Sequence, residues 1–263
     1  MTKKRIVALG GDGVGPEVME VTCHVLEKAG WGLEILKPPS GSEALKTLGT
    51  AFPDETKKLC DESDAILFGA TGGPSSGILA YLRWMMDNYI NLRPVKYYPG
   101  AYSPLKNPES IDFLLIRENS EGMYPGREGD ISWLAQKLPD YKDPFGRTLD
   151  FYGEGKFALR LITRKGTERI AKYAAELARE RKSQGFPGKV TCITKSNVLR
   201  QSCGFFQKTV EEAVKKTPGI GYEHFHVDDA ARRLIRFPRD FGVIVTSYMV
   251  CDVRLDGAVA MVG

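Results

Sequence analysis

Three short apolar runs, Ile6-Val7-Ala8-Leu9, Leu33-Glu34-Ile35-Leu36 and Ala65-Ile66-Leu67-Phe68, are separated by stretches with helical periodicity. This alternation constrains the fold more than any other feature of the chain. Strands that recur with helices between them make a parallel sheet covered by helices. Pro16 stands where a first helical turn tolerates it, and an amphipathic helix is predicted from there through about Leu26. Gly69 to Gly77 contains four glycines and a proline. It reads as a loop at the carboxyl end of a strand, where such sheets bind ligands.

Past Pro99-Gly100 the pattern changes. Strands are predicted over residues 111–116, 189–193, 222–227 and 241–245, with helices over 167–181 and 204–216. Residues 125–158, rich in Gly, Pro, Asp, Tyr and Lys, read as a long arm or meander. A content of 42% hydrophobic and 27% charged residues in 263 is enough for a globular core. No apolar run reaches membrane-span length, and the opening Met1-Thr2-Lys3-Lys4-Arg5 leads straight into the strand-like Ile6-Val7-Ala8-Leu9, with no apolar h-region. A cytoplasmic protein without a membrane partner is therefore expected. The five cysteines form no Cys-x-x-Cys pair and read as reduced thiols, neither disulfides nor a zinc site. Net charge is +4, and the basic clusters Arg179-Glu180-Arg181-Lys182 and Lys215-Lys216 sit on predicted helix surfaces. No aromatic-interleaved basic stripe accompanies them, so no nucleic-acid partner is expected.

Gly10-Gly11-Asp12-Gly13-Val14-Gly15-Pro16-Glu17 invites a dinucleotide reading, but its glycine spacing is wrong and Pro16 fills the slot of the last glycine. A tight strand-to-helix turn explains the glycines and leaves Asp12 and Glu17 unexplained. Arg83, Arg93 and Arg117 are planar, permanently charged forks of the kind that bind a small polyacid, although any one of them alone is more often a surface residue. Tyr124 is either a structural aromatic or a proton donor. Lys195 follows an apolar strand, and is either a base made available by desolvation or a lysine at a strand end. Asp252 and Asp256, four apart, are either helix-start acids or carboxylates on one face that can grip a hard cation. His224 and His226 share a strand face and read as pairing residues, not zinc ligands.

Together these segments resemble the isocitrate/isopropylmalate dehydrogenase family, the metal-dependent β-decarboxylating dehydrogenases. Leu9 through Val18 is similar to the family's opening signature. Asn91-Leu92-Arg93-Pro94-Val95-Lys96, Ile116 through Tyr124 and Thr194-Lys195-Ser196-Asn197-Val198-Leu199 resemble its internal signatures in order. The resemblance implies that Arg83, Arg93 and Arg117 bind substrate carboxylates, that Tyr124 and Lys195 are catalytic, and that Asp228, Asp252 and Asp256 bind Mg²⁺ or Mn²⁺. It implies NAD or NADP as cofactor, a small di- or tricarboxylate as substrate, and a homodimer in which Lys195 and Asp228 serve the partner's active site.

There are departures. Cys251 and Leu255 precede the two late aspartates where the family usually has glycine and serine, and Ser196 replaces alanine or glycine. Isocitrate-specific members carry a Ser-x-Asn where this chain has Gly77 and Leu79. That points to an apolar γ-substituent, as in isopropylmalate, or to none, as in D-malate and tartrate. The family's His-Gly-Ser-Ala-Pro-Asp loop, which holds the adenosine half of the cofactor, is not among the 263 residues. The expectation is an α/β, two-domain isopropylmalate dehydrogenase-like fold with a mixed sheet covered by helices and the C-terminal part of domain 1 missing. Domain 1 would comprise residues 1–99 plus 246–263, and domain 2 residues 100–245, with the two sharing a sheet. The expected activity is NAD(P)-dependent oxidative decarboxylation of a malate-type 2-hydroxy acid, with a truncated non-catalytic regulatory homologue as the rival.

Overall fold

The structure is a computed structural model that describes residues 3–247, in two compact units, Met1–Asn88 and Tyr89–Gly263. In the first unit, β1 (Arg5–Leu9), β2 (Glu34–Leu36) and β3 (Ala65–Phe68) form a parallel sheet ordered β2-β1-β3. Parallel neighbours need crossovers, which α1 (Gly15–Lys28), α2 (Gly41–Leu48) and α3 (Asp54–Asp61) supply. Alternation along β1 divides its side chains. Val7 and Leu9 pack with Cys60, Ile78 and Leu82, whereas Ala8 packs with Met19 and Cys23 of α1. The unit continues with α4 (Ser76–Ala80), which passes directly into a π-helical turn, Tyr81–Met85. The Met86 amide donates to the Tyr81 carbonyl at 3.1 Å across that turn.

In the second unit, β4 (Ile90–Lys96), β5 (Asp112–Glu118), β8 (Lys189–Thr194), β9 (Gly221–His226) and β10 (Val243–Thr246) form a sheet ordered β4-β5-β10-β8-β9. All neighbours are parallel except β4, which pairs antiparallel with β5. The sheet is mixed, as expected. Among the described residues the strands fall into three sheets, these two and a two-stranded one. The strand over Ile90–Lys96, assigned from sequence to the first domain, pairs along its whole length with β5. Pro94 fits there because β4 is an edge strand and loses no central hydrogen bond.

Helices cover both faces of this second sheet. On one face α6 (Arg164–Ser183) presents Ile170 and a stripe of alanines, Ala171, Ala174, Ala175 and Ala178, against Ile116, Val190, Val243 and Val245. The small side chains let α6 lie close to the strands, and Phe206 and Val210 of α7 (Ser202–Val214) complete that core. On the other face Ala230 and Leu234 of α8 (Val227–Arg236) pack on Phe113, Leu115, Ile193 and Ile244. The predicted arm is built from β6 (Glu128–Asp130), α5 (Ile131–Lys137) and β7 (Lys156–Ala158). β6 and β7 pair antiparallel, and Trp133 stacks on Phe157 with ring centroids 6.0 Å apart.

Candidate active site

The carboxyl ends of parallel strands collect loops on one edge of a sheet, and this edge carries Arg117, Lys195 and Asp228. Register fixes their faces. Arg117 at the end of β5 is paired with Thr246 of β10, which is paired in turn with Ile193 of β8. Paired residues of parallel strands point the same way. Arg117 therefore continues the Phe113–Leu115 row on the α8 face, and Lys195 continues the row of Ile193. Two interstrand spacings separate these rows, about 10 Å. Arg93 shares this face, because Val95 of the same strand packs in the α8-side core.

Arg117 is 1% exposed, and its Nη2 donates to Asn119 Oδ1 at 3.2 Å. Asn91 is its cross-strand partner, and Arg93 Nε donates to Asn91 Oδ1 at 3.0 Å. The edge strand and its neighbour thus bring the two guanidinium groups onto one polar patch.

The residues after Arg117 form a clamped turn. Buried Glu118 accepts the Ser120 hydroxyl at 2.6 Å and the Glu121 amide at 2.7 Å, with Arg169 Nη2 at 3.8 Å. Burial pushes the Glu118 carboxyl up, against the opposing pull of the Ser120 and Glu121 hydrogen bonds. Glu121 accepts the Thr163 amide at 2.8 Å and also the Thr163 hydroxyl. Thr163 caps α6, accepting the Gly166 amide at 3.0 Å. The chain leaves this clamp in a turn closed by the Gly126 amide on the Met123 carbonyl at 3.1 Å. Tyr124 lies in that turn, 42% exposed.

Lys195 stands one residue past β8 and Asp228 in the first turn of α8, directly after the neighbouring strand β9. Lys195 Nζ donates to Asp228 Oδ1 at 2.5 Å. The ammonium is not sealed from solvent, for the side chains are 34% and 61% exposed. The Lys195 hydrogen bond, foremost, holds the Asp228 carboxyl below its ordinary value. A helix N-terminus is also a favourable place for a carboxylate. Beside them, Thr194 Oγ1 lies 2.8 Å from His224 Nε2, and the His224 and His226 rings meet edge to face with centroids 5.1 Å apart.

Asp228 offers the oxygen donor that Mg²⁺ or Mn²⁺ prefers, but one carboxylate does not make a site. Asp252 and Asp256 lie outside the described residues, and among the described residues no group of three His, Cys, Asp or Glu is placed to hold a metal ion. Arg83 lies in the first unit, half-buried in the π-helical turn after α4. Such turns concentrate at functional sites.

One polar residue escaped the sequence reading, and another was noticed without a role. Arg160 donates through Nη1 to Ser202 Oγ at 2.7 Å and through Nη2 to Ser247 Oγ at 2.9 Å, tying the start of α7 to the end of β10. Nothing local in the sequence signals it. Asp12, left unexplained above, is 7% exposed, and its two carboxylate oxygens accept hydrogen bonds from Ser42, Gly72 and Ser75. Gly11 beside it has φ +77°, and a Cβ there would fall 2.1 Å from the Ala70 carbonyl oxygen. The glycine-rich run is a packing device, and the isolated acid among its glycines was the available signal.

Comparison with known proteins bears on the whole chain. The family described as isocitrate/isopropylmalate dehydrogenase matches residues 5–263. The 3-isopropylmalate/3-methylmalate dehydrogenase of Methanocaldococcus jannaschii is 37% identical over 260 residues, covering 98% of this chain and 71% of that protein. Among solved structures, isocitrate dehydrogenase from Methylococcus capsulatus superposes with a TM-score of 0.78 at 26% identity, over 99% of this chain and 71% of that one. The TT0538 protein from Thermus thermophilus gives a TM-score of 0.78 at 30% identity, and this chain spans 49% of its length. The chain belongs to the isocitrate/isopropylmalate dehydrogenase family.

Proposed function

We propose that this protein catalyses the NAD(P)-dependent oxidative decarboxylation of a malate-type 2-hydroxy acid, with a 3-isopropylmalate-like acid as the leading substrate. The observation that carries this reading is the Lys195–Asp228 pair at the carboxyl ends of β8 and β9, an amine-and-carboxylate unit that one chain can lend to another. The name of the Methanocaldococcus jannaschii relative supports the substrate, as does Leu79, an apolar residue four positions before Arg83. D-malate and tartrate, which lack the apolar γ-substituent, are the next candidates.

Arg93 and Arg117, with Arg83, hold the substrate carboxylates through paired N–H donors and fix the 2-hydroxyl for reaction. Lys195 takes the hydroxyl proton at Nζ as hydride leaves C2, so the alcohol becomes a ketone. The β-carboxylate then departs as carbon dioxide, and the Tyr124 hydroxyl returns a proton to the carbon that carried it. Asp228, Asp252 and Asp256 would hold a divalent cation, which would supply stabilisation of negative charge on the reacting oxygen, and a bound nicotinamide would supply the hydride acceptor. Asp228 orients the Lys195 amine for the proton transfer by accepting its N–H. Lys195 and Asp228 act as one unit of each chain and serve the active site of a homodimer partner.

Calorimetry of Mn²⁺ and Mg²⁺ binding, with 3-isopropylmalate, D-malate, tartrate or isocitrate present or absent, tests the proposal. Weak metal binding that tightens with one of these acids is expected. No metal binding under any of these conditions would favour a non-catalytic homologue instead.

A further inference from the structure

In the glycine-rich turn after β1, both oxygens of Asp12 are engaged. Oδ1 accepts the Ser42 amide at 2.8 Å and the Ser42 hydroxyl at 2.5 Å. Oδ2 accepts the Gly72 and Ser75 amides, each at 2.9 Å. Ser42 lies in the first turn of α2, and Gly72 and Ser75 lie just ahead of α4. Amides at helix starts lack partners within their own helix, and negative charge is favoured there. Phosphate-binding loops present such donors to an external anion. Here a side chain of the protein takes that place. Burial works to raise the Asp12 carboxyl, but the hydrogen bonds from Ser42, Ser75 and Gly72 overcome it and hold the group far below the usual carboxylate range. Gly72 is part of the fit, because a Cβ there would lie 3.1 Å from Asp12 Cβ and 3.2 Å from Oδ2.

We propose that Asp12 is a positioning residue, which fixes the start of the short helix that carries Arg83. The contacts run without a gap along the chain. The Ser75 amide is held by Asp12, and the Ser75 carbonyl accepts the Ile78 and Leu79 amides at 3.0 and 3.2 Å. α4 then passes into the π-helical turn with Arg83, while Ile78 and Leu82 lock into the core with Val7 and Leu9. Five residues of helix do not hold a direction unaided, because the first turn is costly to form. Asp12 supplies the fixed end. Its consequence for substrate rests on the reading of Arg83 as a carboxylate fork; its consequence for the backbone does not.

Asp12→Asn preserves shape, but an amide accepts on one side only, so its NH₂ must face either the Gly72 and Ser75 donors or the Ser42 donors. Amide hydrogen exchange at Gly72 and Ser75 is expected to speed up on the order of tenfold or more, the scale of losing a buried hydrogen bond. The hydroxy-acid KM is expected to rise about as much, with kcat within about twofold, as for lost uniform binding of the carboxylate without lost chemistry. Ser42→Ala, which removes one hydroxyl on the α2 side only, should leave KM unchanged. If Asp12→Asn does not fold, Gly72→Ala crowds the same carboxylate without removing its charge and should give the same two readings. Unchanged exchange at Gly72 and Ser75, or an equal rise of KM in Ser42→Ala, would overturn the proposal. An inert wild-type chain would sink the reading of Arg83 but leave the exchange result to decide the anchor.

Discussion

Lys195 and Asp228 meet at 2.5 Å because β8 and β9 are parallel neighbours in register. Thr194 is paired with His226, so the residues that follow each strand emerge side by side on the same edge. One strand end supplies an amine and the next helix start a carboxylate. That places an amine and a carboxylate together without help from any loop.

Replacing Lys195 with Met should stop oxidation while leaving metal and substrate binding largely intact. Loss of a positioned acid or base typically lowers rate about a hundred- to ten-thousand-fold. Steady-state kinetics alongside calorimetry check this, and near-normal turnover would remove Lys195 from the mechanism.

The same substitution makes a prediction about acid. The Asp228 pKa is lowered in the folded chain, chiefly by Lys195, from an ordinary value of 3.8. A depressed carboxylate contributes stability that is complete above its unfolded pKa and is lost as pH falls through its folded pKa. The gap in melting temperature between wild type and Lys195→Met should therefore be constant above that ordinary value and close below it. A gap that widens on acidification would contradict the pairing.

Shared active sites predict complementation. Lys195→Met and Tyr124→Phe chains, each nearly inactive, should regain turnover when mixed under conditions where subunits exchange. Mass spectrometry establishes that heterodimers have formed. Proven heterodimers without recovery would place each site within one chain.

The alanine stripe of α6 predicts a packing defect. Ala174 is fully buried against the sheet, so Ala174→Leu should cost about 1–3 kcal/mol through overpacking. Val21, 61% exposed on α1, tolerates Val21→Ala with a change within about 0.5 kcal/mol. Denaturant unfolding of the two variants gives the comparison.

How far the chain could be read in advance followed from how local each signal was. Strands such as Ala65–Phe68 and Lys189–Thr194 announced themselves because apolar runs bounded by turn residues need no distant partner to be recognised. Lys195 stood out for a similar reason, as a charge at the end of an apolar strand. Ile90–Lys96 gave no strand reading because its partner, β5, is a non-local choice and Pro94 disguised an edge strand. Asp12 stood out without a role, and Arg160 was silent, for the same cause. Asp12 bonds to residues 30 to 63 positions away and Arg160 to Ser247, 87 away.

The most direct test of the account is turnover itself. Purified protein with Mg²⁺ or Mn²⁺, NAD⁺ or NADP⁺ and each candidate 2-hydroxy acid should produce reduced cofactor and carbon dioxide in equal amounts, with a 3-isopropylmalate-like acid preferred. Reduced cofactor without carbon dioxide, or neither product from any acid, would contradict it.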